Sequence, residues 1–265
     1  MIFKKLIKKI KGDDARYTEY SKPLMTAEGY KKLHKKAKEQ IFEEINLDEK
    51  KCGYAIDIEY FENLALHLQV VKKKSTLNYQ HGRLLYSRLR NYLSKKSDKV
   101  VNILETGTAR GFSSICLSKA LNDSNRIGLI VTLDIIPHNK NLFWNCIDDE
   151  SGKKTRAKLL EQWESETKNI IFLEGSSKST LSKLHIDRIH FSFLDAQHTE
   201  LEVLNEFNYV KSRQISGDII IFDDYSPGLF DGVVNAIKQI EYDGLYEIEI
   251  INNTNQRGYV IATRK

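Results

Sequence analysis

The stretch Leu104-Glu-Thr-Gly-Thr-Ala-Arg-Gly-Phe-Ser113 decides the fold. It follows an apolar run at 100–105 and precedes a helical pattern at 112–121, so it predicts a strand, a turn and a helix. Gly107 and Gly111 let backbone N–H groups approach a ligand closely, and the start of the helix favours a negative group. The stretch therefore predicts a ligand-binding turn, although it is also compatible with a tight turn that only packs.

The spacing of the two glycines disfavours one common ligand class. A dinucleotide-binding turn has the pattern G-x-G-x-x-G, whereas position 109 is alanine and the pattern here is G-x-x-x-G. A nicotinamide-dependent dehydrogenase is therefore disfavoured. Glu105 precedes the turn, and its carboxylate would attract the ammonium or sulfonium of S-adenosylmethionine but repel a pyrophosphate. The turn favours S-adenosylmethionine as the cofactor.

Downstream of the turn, short apolar runs alternate with amphipathic stretches, which is typical of a parallel sheet with crossover helices. The chain ends in two further strands around a polar turn, which indicates a hairpin. The pattern predicts an α/β fold: a Rossmann-like, doubly wound, seven-stranded sheet with a terminal antiparallel hairpin. The strands are expected at 100–105, 127–134, 169–173, 189–194, 217–222, 245–251 and 259–263. The intervening helices are expected at 112–121, 154–167, 178–184, 199–212 and 231–241.

Upstream of this core the sequence has a different character. Residues 26–70 have helical patterns in pieces, and a further helical pattern covers 84–93. We therefore expect an N-terminal helical region over residues 1–78 and a core domain over residues 79–265.

The N-terminal part of the chain is also basic. Residues 1–100 contain 23 Lys and Arg against 13 Asp and Glu, which suits an anionic partner but equally describes a solvated helical face. Residues 1–11 combine apolar positions with lysines at helical spacing. This segment is expected to contact a membrane surface weakly, to act as a short packing helix, or to be a loose terminus.

The bulk composition bounds the remaining possibilities. The 265 residues suffice for one α/β domain with an appendage. The widely spaced Cys52, Cys116 and Cys146 predict neither a disulfide framework nor a zinc site, and they suit a reducing cytosol. No apolar run reaches the roughly 18 to 20 residues of a transmembrane helix. A cytoplasmic protein is expected, and assembly into a homo-oligomer stays open.

Polar residues follow two further strands of the predicted sheet. Asp134 ends the second strand, where an acidic residue accepts hydrogen bonds from ribose hydroxyls in doubly wound folds. A surface acid that caps a loop is the alternative. Glu174-Gly-Ser-Ser177 follows the third strand, and this small polar turn suits an adenine edge.

Three carboxylates follow the fourth and fifth predicted strands. Asp195 comes directly after the fourth strand, and Asp223 and Asp224 come after the fifth. Open α/β sheets bind ligands at the carboxyl ends of their strands, so the three side chains are expected near one another. Clustered carboxylates repel one another unless they are protonated or bridged by a cation, and oxygen ligands suit Mg²⁺, Mn²⁺ or Ca²⁺. The alternative is that they cap the helices that follow.

Over residues 79–264 the chain resembles the metal-dependent O-methyltransferases, a class I S-adenosylmethionine-dependent group. The likeness is to the catechol type and especially to the macrocin and cephalosporin-cluster relatives. It implies that the methionine part of the cofactor is held at the turn, the ribose at Asp134 and the adenine at the second polar turn. The implied cofactor-binding residues are Glu105, Gly107, Thr108, Gly111, Ser113, Asp134, Gly175, Ser176, Ser177 and Asp195. The implied metal ligands are Asp195, Asp223 and Asp224, with Mg²⁺ as the expected metal.

The resemblance also implies catalytic and substrate-contacting residues. His198 stands three residues after Asp195, where the macrocin-like group often has Asp-x-x-His, and an ordinary histidine pKa near 6.5 suits a general base. The alternative is a histidine that only packs at a helix start. Gln197 departs from the second aspartate of some sugar-acting relatives. Tyr79 and His81 lie in a region that related enzymes use as a lid, so they are candidates to touch the substrate.

These features favour an enzyme that transfers a methyl group to a hydroxyl of a small molecule, such as a sugar of a glycan or a secondary metabolite. A nucleic-acid methyltransferase is disfavoured, because the fourth strand ends in Asp195-Ala-Gln-His198 and not in the Asn/Asp-Pro-Pro-aromatic motif of base methylation. A non-catalytic, membrane-associated scaffold is the third hypothesis, and the retained carboxylates argue against it.

Overall fold

A computed structural model describes residues 20–252 and 257–265. The predicted amphipathic segment 1–11 lies outside these described residues. Seven strands form one mixed sheet in the order β3-β2-β1-β4-β5-β7-β6, with β7 antiparallel to both of its neighbours. They are β1 (Val100–Thr106), β2 (Ile127–Asp134), β3 (Ile170–Glu174), β4 (Phe191–Leu194), β5 (Ile219–Tyr225), β6 (Tyr246–Ile251) and β7 (Gly258–Arg264). The predicted fold class is confirmed.

Within the described part of the chain, four helices precede the sheet, and the others connect its strands. The first four are α1 (Ala27–Lys38), α2 (Glu43–Cys52), α3 (Ile58–Leu68) and α4 (His81–Ser94). The connecting helices are α5 (Phe112–Asp123), α6 (Arg156–Leu159), α7 (Glu164–Thr167), α8 (Ser177–Thr180), α9 (Glu200–Lys211) and α10 (Asp231–Tyr242). No helix within the described ranges is long and apolar enough to span a bilayer.

The two faces of the sheet are covered by different apolar clusters. Successive residues of a strand point to opposite faces, so Ile103 of β1 belongs to one cluster and Leu104 to the other. Ile103 packs in the cluster that also contains residues of α1 to α5, including Phe61 of α3 and Leu117 of α5. Leu104 packs with residues of α9 and α10, such as Phe207. The N-terminal helices therefore share a core with the sheet.

Several element boundaries differ from the sequence expectation, most clearly in the expected helix 154–167 and at the end of the fifth strand. The single helix expected over 154–167 is divided into α6, a 3₁₀ turn at Glu161–Trp163, and α7. Leu160 and Trp163 are buried at this break, so packing overrides the local helical preference. Strand β5 continues to Tyr225 instead of ending at 222, because Tyr225 pairs with Gly258 of β7 beyond a break in register. Asp223 and Asp224 lie at this irregularity.

Candidate active site

A cavity of about 370 Å³ opens at the carboxyl edge of the parallel strands. Its volume lies in the range of small-molecule sites, roughly 300–1,000 Å³. Six of the predicted cofactor-binding residues line it, and they come from four strand ends. They are Gly107, Asp134, Gly175, Ser176, Ser177 and Asp195. The structure also adds lining residues that the sequence did not single out, among them Tyr20 and Ile135.

Residues 106–111, which we call the glycine turn, form one wall of this cavity. Gly107 has φ +94° and its N–H donates to the carbonyl oxygen of Leu133, 2.9 Å away. A Cβ atom at Gly107 would lie 2.3 Å from the carbonyl oxygen of Asp195. The turn is thus pressed against the end of β4, and only glycine fits there. Gly111 also has a positive φ and directly precedes α5.

Asp134 holds the glycine turn to the end of β2. Its Oδ2 accepts a hydrogen bond from the Ala109 N–H at 2.6 Å, and its Oδ1 accepts one from the Ile136 N–H at 2.7 Å. Ala109 has the uncommon φ of +45°, which this hydrogen bond supports. Asp134 therefore shapes the wall of the cavity that it also lines.

The other predicted cofactor residues lie behind the glycine turn. Glu105 is buried, and its Oε2 accepts hydrogen bonds from the hydroxyls of Ser114 and Thr132. Burial raises the pKa of Glu105, although hydroxyl donors that include Ser113 oppose the effect. Its Oε1 is buried without a hydrogen-bond partner among the described residues. Thr108 is also buried, with Oγ1 2.5 Å from that of Thr132. These side chains support the turn from beneath.

Asp195, His198, Asp223 and Asp224, which we call the acidic cluster, adjoin the cavity. Asp195 and Asp223 share a side-chain hydrogen bond. Asp224 has φ +58°, and its N–H donates to Oδ1 of Asp223 at 2.7 Å. Its own Oδ2 lies 2.9 Å from Nε2 of His198. The ring of His198 lies against that of Phe230, with centroids 4.4 Å apart.

The carboxylates of the acidic cluster differ in how readily they ionise. Burial and the charges of Asp223 and Asp224 raise the pKa of Asp195 well above its usual range. Burial also raises the pKa of Asp223 to about 6, although the Arg257 charge opposes it. Burial disfavours ionisation of Asp224, but hydrogen bonds with His198 and Arg257 prevail and lower its pKa to about 2. Only Asp224 is thus strongly held as an anion.

The donor atoms of the acidic cluster fit a divalent cation. Asp195, His198 and Asp224 each offer one ligand atom, and these atoms lie within 4.8 Å of one another. Carboxylate oxygens with an imidazole nitrogen are an ordinary ligand set for such ions. The raised pKa of Asp195 points the same way, because a cation would relieve the repulsion that disfavours its ionised form.

Two cationic side chains that the sequence reasoning missed also face the acidic cluster. The guanidinium of Arg257 donates to Oδ1 of Asp224. Lys73 is the second, and the charges of Asp195, Asp223 and Asp224 favour its charged form. Arg257 immediately precedes β7, and Lys73 lies in the segment between α3 and α4. Both were part of polar stretches that look solvent-exposed in sequence.

The two predicted substrate residues are buried beside the N-terminal helices. Tyr79 donates a hydrogen bond from its hydroxyl to Glu62 at 2.9 Å. His81 stacks on Phe193, with ring centroids 5.9 Å apart. Burial lowers the pKa of His81 to about 3, so the ring is neutral. Both side chains join the appendage to the core behind the site.

Residues 104–225 match a family model described as a methyltransferase domain. This segment is just under half of the chain and contains the glycine turn and the acidic cluster. The predicted enzyme class, a methyltransferase, is confirmed. No curated protein sequence matches the chain.

Solved structures of several methyltransferases resemble the chain. One is the O-methyltransferase TomG from Streptomyces achromogenes, which is involved in tomaymycin synthesis and was solved with SAM. It is 18% identical, and the match covers 80% of this chain and 92% of that chain, with a TM-score of 0.57. An O-methyltransferase from Bacillus cereus, in complex with SAH, is 16% identical. The match covers 79% of this chain and 92% of that chain, with a TM-score of 0.55. A SAH-bound methyltransferase from Podospora anserina is 16% identical. The match covers 82% of this chain and 93% of that chain, with a TM-score of 0.50. The shared fold is that of class I S-adenosylmethionine-dependent methyltransferases.

Proposed function

We propose that this methyltransferase transfers the methyl group of S-adenosylmethionine to a hydroxyl of a small molecule, with a divalent cation, Mg²⁺ by preference, bound in the acidic cluster. One observation carries the proposal: Asp195 lines the 370 Å³ cavity and also belongs to the acidic cluster. A methyl donor in the cavity and an acceptor at the cluster would therefore meet at one residue.

The donor part of the proposal rests on the wall of the cavity. The backbone of the glycine turn, the Asp134 carboxylate and the hydroxyls of Ser176 and Ser177 offer acceptors and donors for a nucleoside. The partnerless Oε1 of Glu105 supplies negative potential behind the turn, where the cationic part of the donor would lie. The SAM and SAH bound in structures of the same fold support this placement.

The acceptor part rests on the acidic cluster. We assign Asp195, Asp223 and Asp224 as the residues that hold the cation, which would supply Lewis-acid polarisation of the acceptor hydroxyl. His198, held by its hydrogen bond to Asp224, accepts the hydroxyl proton. The new bond joins the acceptor oxygen to the methyl carbon, and the electron pair of the broken carbon–sulfur bond goes to sulfur. Gln197 lines the cavity beside these residues.

Calorimetry with SAH and with Mg²⁺ tests both parts. We expect SAH to bind the wild-type protein without metal, and we expect Asp195→Asn to weaken Mg²⁺ binding at least tenfold while the protein stays folded. Gln239→Asn, an exposed change on α10, is the matched control. Absence of SAH binding would overturn the donor part. Unchanged Mg²⁺ binding in Asp195→Asn would overturn the metal part.

A second variant separates the two roles open to His198. If it accepts the proton, His198→Gln lowers kcat on the order of 10²-fold or more and removes the acidic limb of the pH profile, where protonation of the base slows the reaction, while Mg²⁺ affinity is kept. If Mg²⁺ affinity falls with kcat, His198 is a metal ligand, as its position within 4.8 Å of Asp195 and Asp224 allows, and the base assignment is wrong.

A further inference from the structure

A second cavity lies beside the active site and is lined by lysines. It has a volume of about 260 Å³ and lies between α1 and the segment 71–77 that joins α3 to α4. Four of its lining residues are lysines, two others are Ser75 and Thr76, and none is acidic. The lysines are Lys36, Lys72, Lys73 and Lys74. We call this cavity the lysine pocket.

Lys73 distinguishes the lysine pocket from an ordinary solvated lysine face. Lys36, Lys72 and Lys74 are exposed, whereas Lys73 is only partly exposed. No hydrogen bond or ion pair from the residues described reaches the Lys73 ammonium. The three N–H donors of this ammonium are therefore available to an anionic ligand in the lysine pocket.

The lysine pocket is close to the acidic cluster. Lys73 lines the pocket, and its charge interacts with those of Arg257, Asp195, Asp223 and Asp224. Burial and the Arg257 charge lower the pKa of Lys73 to about 8, and the three carboxylates oppose that shift. Lys73 therefore remains mostly protonated at pH 7 and stands between a basic and an acidic site.

We infer that the methyl acceptor carries a phosphoryl group that binds in the lysine pocket while its hydroxyl reaches the acidic cluster. The inference rests on the proposed function and adds a substrate class to it. Several ammonium groups with two neighbouring hydroxyls match the charge and the multiple oxygens of a phosphate. The volume of the cavity, about 260 Å³, is larger than a lone carboxylate would fill. Lys73 and Arg257 would also shield the phosphate from the acidic cluster.

A binding experiment tests the lysine pocket without catalysis. Inorganic pyrophosphate is titrated into the full-length protein saturated with SAH. We expect binding that weakens at least tenfold in Lys73→Ala and in Lys74→Ala. Lys238→Ala, which removes an exposed lysine of α10, is the matched control and should leave binding unchanged. Binding that is absent in the wild type, or equal in all three variants, would overturn the inference.

An activity experiment identifies the source of the phosphate and separates the two proposals. SAH release is compared for a free sugar, the same sugar 1-phosphate and its nucleoside diphosphate form. We expect one of the phosphorylated forms to exceed the free sugar at least tenfold in kcat/KM, with the excess lost in Lys73→Ala. If SAH binds but phosphorylation makes no difference, the lysine pocket assignment is wrong and the proposed function stands. If SAH does not bind, the proposed function itself fails.

Discussion

The glycine turn and the acidic cluster lie at the same edge of one sheet but are built differently. At the glycine turn the carboxylate of Asp134 accepts hydrogen bonds from two backbone N–H groups, those of Ala109 and Ile136. In the acidic cluster the carboxylates interact with charges from elsewhere in the chain. Arg257 is 33 residues from Asp224 in sequence, and Lys73 is more distant still.

This difference separates a preformed site from an adjustable one. The glycine turn depends on main-chain geometry, which hydrogen bonds within the protein hold in place. The ionisation of the carboxylates in the acidic cluster depends on which cations lie nearby, and these include Arg257 and Lys73. We therefore expect changes in the glycine turn to affect folding and donor binding together, and changes in the acidic cluster to depend on added metal.

The largest effect is expected for Gly107→Ala, which joins the two regions. The new Cβ would lie 2.3 Å from the Asp195 carbonyl oxygen at φ +94°, so the free energy of unfolding should fall by roughly 3 to 4 kcal/mol. SAH binding should be lost. Gly228→Ala is the control, since Gly228 has φ +80° but nothing within 4 Å, and it should cost only about 1 kcal/mol. Equal losses in the two variants would contradict the contact between turn and strand.

The next effect concerns the acidic cluster alone. Arg257→Ala removes the guanidinium that pairs with the buried Asp224, so the free energy of unfolding in the absence of metal should fall by about 3 kcal/mol. Added Mg²⁺ should restore part of the loss. Lys51→Ala breaks an exposed pair with Glu249 and should cost less than about 1 kcal/mol. An Arg257→Ala protein as stable as the wild type, measured by urea unfolding, would show that the carboxylates need no cation.

An effect of intermediate size is expected on the pH dependence of the free energy of unfolding, and it comes from the buried side chain of His81. Its pKa falls from 6.5 to about 3 on folding, so between these values the unfolded chain binds a proton that the folded chain does not. Stability should therefore decrease as the pH falls below 6.5, by about 2 kcal/mol between pH 7.5 and pH 5. Urea unfolding of the wild type and of His81→Gln measures it. A variant with the same pH dependence as the wild type would assign the effect to other groups.

The smallest effect is expected for Asp134→Asn. An amide has one oxygen acceptor, so it cannot serve both the Ala109 and the Ile136 N–H groups. SAH affinity should fall about tenfold, or about 1.4 kcal/mol, with no change in Mg²⁺ affinity by calorimetry. Asp224→Asn should instead lower the affinity for Mg²⁺ and leave the affinity for SAH unchanged. If both variants affected both ligands equally, the two regions would be one coupled site.

Much of the fold could be predicted because burial leaves a periodic pattern in the sequence. The expected strand 127–134 coincides with β2 (Ile127–Asp134), and the expected hairpin corresponds to β6 and β7. The acidic residues that end β2 and follow β4 were likewise visible, since strand ends are where the apolar pattern stops. The division of the expected helix 154–167 was not, because it results from burying Leu160 and Trp163 under other elements.

The sequence by itself determined the sheet, the glycine turn and the position of Asp195 after the fourth strand, because these depend on neighbours in the chain and on apolar periodicity. Only the tertiary structure decided that Arg257 and Lys73 face the acidic cluster and that Tyr79 and His81 are buried. Charged and polar side chains leave no periodic signal of their partners. Their neighbours are set by how distant segments pack, and that packing exists only in the folded chain.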